Sequence, residues 1–213
     1  MTHYSSSDLK NMERFYRGNL INSVTGYKSA NLLATRSING IDNLSIFSSV
    51  THLGSDPAMF TFIQRPLGHG VGHTYQNLKE TGVITLNHIQ LDLVNKAHQS
   101  SAKYPESTSE FEALNIEKIS RDGIQAPFVK MAAIQVAATY ESEYFLKENN
   151  CILVLCKITD IFFNEGIQSE DGWLNLEKAG SIAVNGLDGY ATGTVQKRLR
   201  YARVGDDISE IEL

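Results

Sequence analysis

The chain has 213 residues, a formal net charge of −5 and no basic stripe, so nucleic acid is not an expected partner. With 42% hydrophobic and 20% charged residues, the composition is that of a globular protein with its own core. The longest apolar run, CILVLC, is too short to cross a bilayer, and the N-terminus lacks the apolar segment of a secretory signal, so we expect a cytoplasmic protein without a membrane partner.

Strand patterns dominate the first third of the chain. Asp8, or a serine before it, is a candidate cap for a short helix that ends near Arg17. The Asn39-Gly40 pair lies between two β-prone runs and indicates a hairpin. The strands predicted in this part of the chain are 31–38, 44–50 and 58–64.

The rest of the chain begins with helices and returns to strands. Thr74 is a candidate N-cap for a helix that Gly82 ends. Ser107 or Ser109, each followed three residues later by a glutamate, offers a capping box for a later helix. The predicted helices are 75–81, 91–102 and 110–116, and the predicted strands are 83–89, 134–142, 151–163 and 181–187.

The predicted strands outnumber the helices and do not alternate with them regularly, which excludes a parallel α/β sheet. The pattern predicts a mainly β protein, a β-barrel with inserted helices. We divide it into an N-terminal helical extension at 1–19, a barrel domain at 20–203 and an acidic tail at 204–213. Cys151 and Cys156 lie five residues apart on opposite faces of one predicted strand, so we expect two buried, reduced thiols.

The stretch RPLGHGVGHTYQNLKETG at 65–82 combines glycines and histidines before a helical pattern. His69 and His73 lack further ligands for a metal, and His73 stands where a dinucleotide-binding motif needs its third glycine. An anion site at the start of the helix remains possible on this pattern, with Thr74 and Asn77 on one side and Arg65 and His73 adding charge. The alternative is a plain helix cap after a flexible connection.

Several motifs in fixed order resemble the flavin reductase-like family with the FMN-binding split-barrel fold. They are the segments INSVTGYKSANLLATRSINGIDNLSIFSSVTHLGSDPAMFTFIQRP, HTYQNLKETGVITLNHI, KAHQSSAKYPESTSEFEALNI, APFVKMAAIQV and NNCILVLCKITDI. The resemblance spans about residues 20–195. It implies a six-stranded split barrel that binds FMN between the subunits of a homodimer.

The resemblance also implies site residues. The family pattern of asparagine, two small residues, a frequent proline, any residue and serine falls on Asn43 to Ser48, with Ile46 in the proline place. The family's Thr-x-x-Asn, here Thr74 and Asn77, serves the flavin phosphate. The cofactor-binding residues expected on these grounds are Asn43, Ser45, Ile46, Phe47, Ser48, Ser49, Arg65, His73, Thr74 and Asn77, with no metal ligand and no catalytic side chain, because the cofactor carries the chemistry.

Two departures from the family pattern bear on function. Family members that use NADH often have Gly-Asp-His before the strand that holds Cys151, where this chain has Asn149 and Asn150. Met131 and Ala132 stand where Glu-Ser is common. The resemblance implies a flavin reductase that passes hydride from NAD(P)H through FMN to free flavin or another acceptor. The alternatives are a non-enzymatic, flavoredoxin-like FMN carrier, favoured by the missing histidine, and a barrel of the pyridoxamine-phosphate-oxidase type.

Overall fold

The computed structural model describes residues 1–66 and 72–212. The helices are α1 Ser6–Asn11, α2 Arg14–Val24, α3 His73–Thr81, α4 Val94–Gln99 and α5 Glu110–Ala113, with a 3-10 turn at Leu91–Leu93. The strands are β1 Lys28–Ser29, β2 Asn31–Arg36, β3 Asp42–Phe47, β4 Thr51–Ser55, β5 Ala58–Gln64, β6 Val83–His88, β7 Lys118–Arg121, β8 Ile124–Val129, β9 Ile134–Leu146, β10 Cys151–Phe163, β11 Ile182–Asn185, β12 Gly189–Thr192, β13 Arg198–Leu199 and β14 Glu210–Ile211.

The main element is a seven-stranded antiparallel sheet in the order β3-β2-β6-β9-β10-β5-β4. Its two edge strands, β3 and β4, follow one another in the chain. Just after β3, the hydroxyl of Ser49 accepts a hydrogen bond from the backbone N–H of Ile63 in β5, at 3.1 Å. The sheet therefore curls until its edges approach, and the mainly β, split-barrel prediction is confirmed.

The sheet is buried on both faces at its centre. Five successive residues of β2, Asn31 to Thr35, are buried, because one face lines the barrel interior and the other meets α4, α5 and the small sheet β1-β11-β12. Leu33 belongs to the interior cluster and Leu32 to the outer one. Apolar residues at adjacent positions are what a strand covered on both sides requires.

The hairpin between β2 and β3 forms as predicted. Gly40 has a φ of 81°, a left-handed conformation that glycine adopts without a steric penalty. The backbone N–H of Ser37 closes the turn by donating to the carbonyl of Ile41. This turn fixes the register that places Asn43 opposite Thr35.

Several predictions of local structure are wrong. The N-terminal segment forms two helices rather than one, although Ser5, a serine before Asp8, caps the first as expected, and Glu13 caps the second. Thr74 is not an N-cap, because α3 begins at His73, two residues before the predicted start, and Gly72 is the cap. The capping box expected at Ser107 or Ser109 does not form, since α5 has no side-chain cap bond. Strand β4 and the hairpin β7-β8 lay in segments without predicted strands, because β4 and β7 are short and mostly exposed and carry no apolar alternation.

The ends of the predicted barrel domain can be placed on the structure. The boundary between residues 19 and 20 falls inside α2, and β14 of the acidic tail pairs with β13. Cys151 and Cys156 are both buried and unbonded, and burial raises the pKa of the Cys156 thiol to about 12. Among the described helices, none has the length and apolarity that a bilayer crossing demands.

Candidate functional site

Strand β3 and helix α3 are joined by buried side-chain hydrogen bonds. The hydroxyl of Thr74, in the first turn of α3, donates to Oδ1 of Asn43 at 2.8 Å. One turn later, Nδ2 of Asn77 donates to the hydroxyl of Thr35 at 3.1 Å. Thr74 and Asn77 are only 3% and 4% exposed. Both predicted phosphate residues thus tie the helix to the sheet, and their side chains hold α3 against the edge of the barrel.

A buried carboxylate holds the other side of the Asn43 amide. Nδ2 of Asn43 donates to both carboxylate oxygens of Glu110, at 3.0 and 3.2 Å, and the backbone N–H of Leu44 donates to one of them at 2.9 Å. Glu110 is 3% exposed. Since Nδ2 faces Glu110, the amide oxygen must face Thr74, so Glu110 fixes the orientation on which the Thr74 contact depends. Sequence reasoning placed Glu110 only in a capping box.

The bond from Leu44 to Glu110 also identifies the outward side of the β3 backbone. β3 is an edge strand, and the N–H groups of alternate residues point the same way. Because the Leu44 N–H points away from β2, that of Ile46 does as well. The edge around Ile46 can therefore donate to, and accept from, a planar polar molecule laid beside the strand.

The remaining predicted residues of β3 have different surroundings. Ile46 is half-buried against the outer core cluster, and Phe47 packs edge-on to Phe62 with ring centroids 5.3 Å apart. The hydroxyl of Ser45 donates to the carbonyl of Ser100 at 3.4 Å. Ser49 is bonded to the β5 backbone, whereas the hydroxyl of Ser48 has no hydrogen-bond partner among the described residues. Ser48, just after β3, is thus the serine whose hydroxyl remains available for a hydrogen bond to a ligand.

The start of α3 presents unpaired backbone amides. The first helical hydrogen bond runs from the N–H of Gln76 to the carbonyl of Gly72, so the N–H groups of the three intervening residues have no partner in the described parts of the chain. A Cβ at Gly72 would lie 2.9 Å from Nε2 of buried Gln64, so a larger residue there would have to displace that side chain. The start of α3 therefore packs against Gln64, the last residue of β5.

The charged residues predicted for the anion site flank this helix start. His73 is the first residue of α3 and is half-buried, while Arg65 follows β5 and is exposed. Neither forms an ion pair within residues 1–66 and 72–212. The predicted loop residues Gly68, His69 and Gly70 lie outside the described residues.

Ser109, which the sequence predicted only as a capping-box residue, has a buried side chain without a partner. It is 7% exposed, and its hydroxyl is the one buried side-chain atom of the described residues without a hydrogen-bond partner. It directly precedes Glu110, which contacts the β3 edge at Leu44. An unsatisfied buried hydroxyl costs free energy, which is recovered when a ligand supplies the partner.

Two further histidines lie near these elements. Nδ1 of His98, at the end of α4, is 2.9 Å from the hydroxyl of Tyr190, and the rings meet edge to face. Burial raises the pKa of Tyr190, with Asp188 adding to the effect. His88 lies at the end of β6, where burial lowers its pKa to about 4. Neither histidine contacts the hydrogen-bond network of Asn43.

The chain is similar to proteins of one family. A sequence profile of the flavin reductase like domain matches residues 27–185. A candidate flavin reductase with a split barrel domain from Shewanella frigidimarina NCIMB 400 is 36% identical, with a TM-score of 0.91 over 95% of this chain and 100% of that chain.

More distant structures share the fold. Nitrilotriacetate monooxygenase component B from Bacillus cereus is 18% identical, with a TM-score of 0.82 over 93% of this chain and 98% of that one. Flavoredoxin of Desulfovibrio vulgaris (Miyazaki F) is 14% identical, with a TM-score of 0.63 over 88% of each chain. No curated protein matches the chain in sequence. The profile nevertheless covers well over half of the residues, and the chain therefore belongs to the flavin reductase like family.

Proposed function

We propose that the protein binds FMN along the edge of β3 and passes reducing equivalents from NAD(P)H to free flavin or another acceptor. The observation that carries the proposal is that the strand with its outward backbone edge at Ile46 is joined, through the bond between Asn43 and Thr74, to the start of α3 with its unpaired amides. The first suits the hydrogen-bonding pyrimidine edge of a flavin, and the second suits a phosphate. The family to which the chain belongs supports a flavin as the ligand.

Further side chains near the β3 edge and the start of α3 also suit FMN as the ligand. The unpartnered hydroxyl of Ser109, beside the β3 edge, offers a bond that the protein itself leaves unused. The side chain of Arg65 adds positive charge, and that of His73 a further polar group, near the phosphate end. Thr74 and Asn77 act by positioning α3, since their polar groups are bonded to Asn43 and Thr35.

Bound FMN would supply hydride and electron transfer, which amino-acid side chains do not offer. The chain's own residues would bind the flavin, hold it rigidly and exclude water from one of its faces. The network from Glu110 through Asn43 to Thr74 is suited to this, because a buried and fully bonded network loses little entropy when the ligand binds.

We also propose a homodimer. The tip of the long β9-β10 hairpin exposes large apolar side chains, with Tyr144 59% and Phe145 64% exposed. Adjacent exposed aromatic residues are typical of a surface that another chain covers. The split-barrel resemblance favours a second copy as that chain.

A second candidate function is a non-enzymatic FMN carrier that exchanges electrons with redox proteins. The hairpin tip favours it, because Asn149 and Asn150 occupy the turn where NADH-using relatives often have a histidine. Oδ1 of Asn149 accepts from the backbone N–H of Cys151, and Asn150 has a φ of 58°. Both asparagines thus serve the turn itself, which leaves no imidazole there for a nicotinamide.

Purification of the full chain followed by anaerobic reduction tests both functions. We expect FMN to copurify with a species of twice the chain mass, and NADH or NADPH to bleach the flavin absorbance in stopped flow. Bound FMN that dithionite reduces but neither nicotinamide bleaches would select the carrier. A preparation that neither contains nor takes up flavin would refute both, and a flavin-loaded monomer would refute the dimer.

A further inference from the structure

A concave surface lies outside the proposed flavin site. It is a groove of about 420 Å³ between the β7-β8 hairpin and the ends of β9 and β10. Ile119, Ile161 and Phe163 line it and are 37%, 51% and 38% exposed. Its volume falls in the range of small-molecule sites, and it shares no lining residue with the proposed flavin site.

Arg121, at the end of β7, forms the polar part of the groove. Its guanidinium lies 3.9 Å from the ring centroid of Phe162. Its Nη2 and Nε donate to Oε1 of Gln135, at 2.7 and 3.3 Å. Gln135 is itself 4% exposed and fixed by donating from Nε2 to the carbonyl of Val129 at 2.8 Å. The guanidinium is therefore held in one position by an aromatic face and a locked amide.

These partners are neutral, so the charge of Arg121 is not compensated locally. Arg121 makes no ion pair with any described carboxylate. In contrast, Lys130 on the same rim is paired with Glu117 at 2.6 Å. A guanidinium has five N–H groups, and only two of those of Arg121 are used within the described residues. The remaining donors form a preorganised anion receptor beside apolar walls.

We propose that this groove binds a small organic carboxylate with a flat apolar body, whose carboxylate pairs with Arg121. One rigid fork with a single positive charge matches a monoanionic carboxylate, whereas a phosphate dianion would call for a second uncompensated cation. The apolar body lies against Ile119, which shares the face of Phe128 and Arg121, and removes its exposed surface from water. Neither the local sequence around Arg121 nor the family resemblance indicated this site.

Benzoate is a suitable probe, with benzamide as a neutral ligand of the same shape. We expect saturable binding of benzoate to the full chain by calorimetry, and at least tenfold weaker binding of benzamide. Arg121→Gln should weaken benzoate binding by about tenfold or more, since it removes a charge-assisted contact. Lys130→Gln is the matched control, because it removes a rim cation already paired with Glu117, and should change binding less than about threefold.

A second variant tests the proposal independently, in case Arg121→Gln loses structure around Phe162. Ile119→Trp leaves Arg121 and its partners intact while filling the groove, so it should abolish benzoate binding and leave the melting temperature near that of the wild type. The proposal is overturned if benzoate does not saturate by about 10 mM, or if Arg121→Gln binds it as the wild type does. It is also overturned if Ile119→Trp dissociates a dimer, because a second copy then covers the groove.

Discussion

Two adjacent residues, Ser109 and Glu110, have opposite hydrogen-bonding states. The spacing of serines and glutamates predicted a local capping box, yet the Glu110 carboxylate bonds to Asn43, which lies 67 positions away, and the Ser109 hydroxyl has no partner among the described residues. Tertiary contacts outweighed the local motif, because the buried amide and N–H groups of β3 needed an acceptor. No local pattern in the sequence could have indicated this, since the partners are brought together only by the fold.

Substitutions at these two positions should therefore have opposite effects on the flavin-free protein. Glu110→Gln removes the charge and replaces one of the two acceptor oxygens with an NH2 group, so at least one of the bonds from Nδ2 of Asn43 and the Leu44 N–H is lost. We expect it to lower the free energy of unfolding by about 1–3 kcal/mol. Ser109→Ala removes a hydroxyl that already lacks a partner, so its unfolding free energy should equal or exceed that of the wild type. Urea unfolding of both apoproteins measures this.

Measurements of FMN binding distinguish the role proposed for Ser109 from that of Glu110. Ser109→Ala should weaken FMN binding despite its unimpaired stability, because the proposed ligand would lose a hydrogen bond. Glu112→Gln is the control for the glutamate, since Glu112 is 77% exposed and should affect neither property. A loss of stability in Ser109→Ala would contradict an unpartnered hydroxyl, and unchanged FMN affinity would place the ligand elsewhere.

At the scale of elements, helix α3 illustrates which parts of the fold are encoded locally. Its end was predicted because Gly82 is a C-cap with a φ of 76°, a conformation that glycine adopts readily. Its start was misplaced because Thr74 resembles a cap but bonds to Asn43 instead. Strands β5 and β10 match their predicted bounds, since both are continuous β-prone runs. Strand β4 was missed, because its residues are mostly exposed and carry no apolar period.

Gly82→Ala should destabilise the protein through the backbone alone. A Cβ at this position meets nothing within 4 Å, so no clash contributes. The left-handed conformation should cost about 1 kcal/mol of unfolding free energy, after the gain from a less flexible unfolded chain. Gly193→Ala is the matched control, because Gly193 has similar open space and no left-handed φ. Equal urea midpoints for the two variants would contradict the cap.

The whole molecule is held together partly by a joint between its two larger sheets. His88 at the end of β6 lies with Nδ1 2.9 Å from the hydroxyl of Ser181, just before β11. The backbone N–H of Ile182 donates to the carbonyl of Ile89 at the same place. The small sheet thus closes over the outer face of β2, and a buried imidazole lies at the contact.

This joint should make the stability of the whole fold sensitive to acid. Burial lowers the pKa of His88 to about 4, whereas an unfolded chain has a histidine pKa of about 6.5. Between these values the unfolded chain binds a proton that the folded one does not, so stability falls as pH decreases from about 6.5 towards 4. Between pH 7 and pH 5, His88→Gln should lose about 2 kcal/mol less unfolding free energy than the wild type, because the variant has no imidazole to protonate. Urea unfolding at both pH values measures the difference, with His52→Gln, at an exposed position of β4, as the control expected to follow the wild type. Parallel losses in wild type and His88→Gln would show that His88 is not the group that titrates.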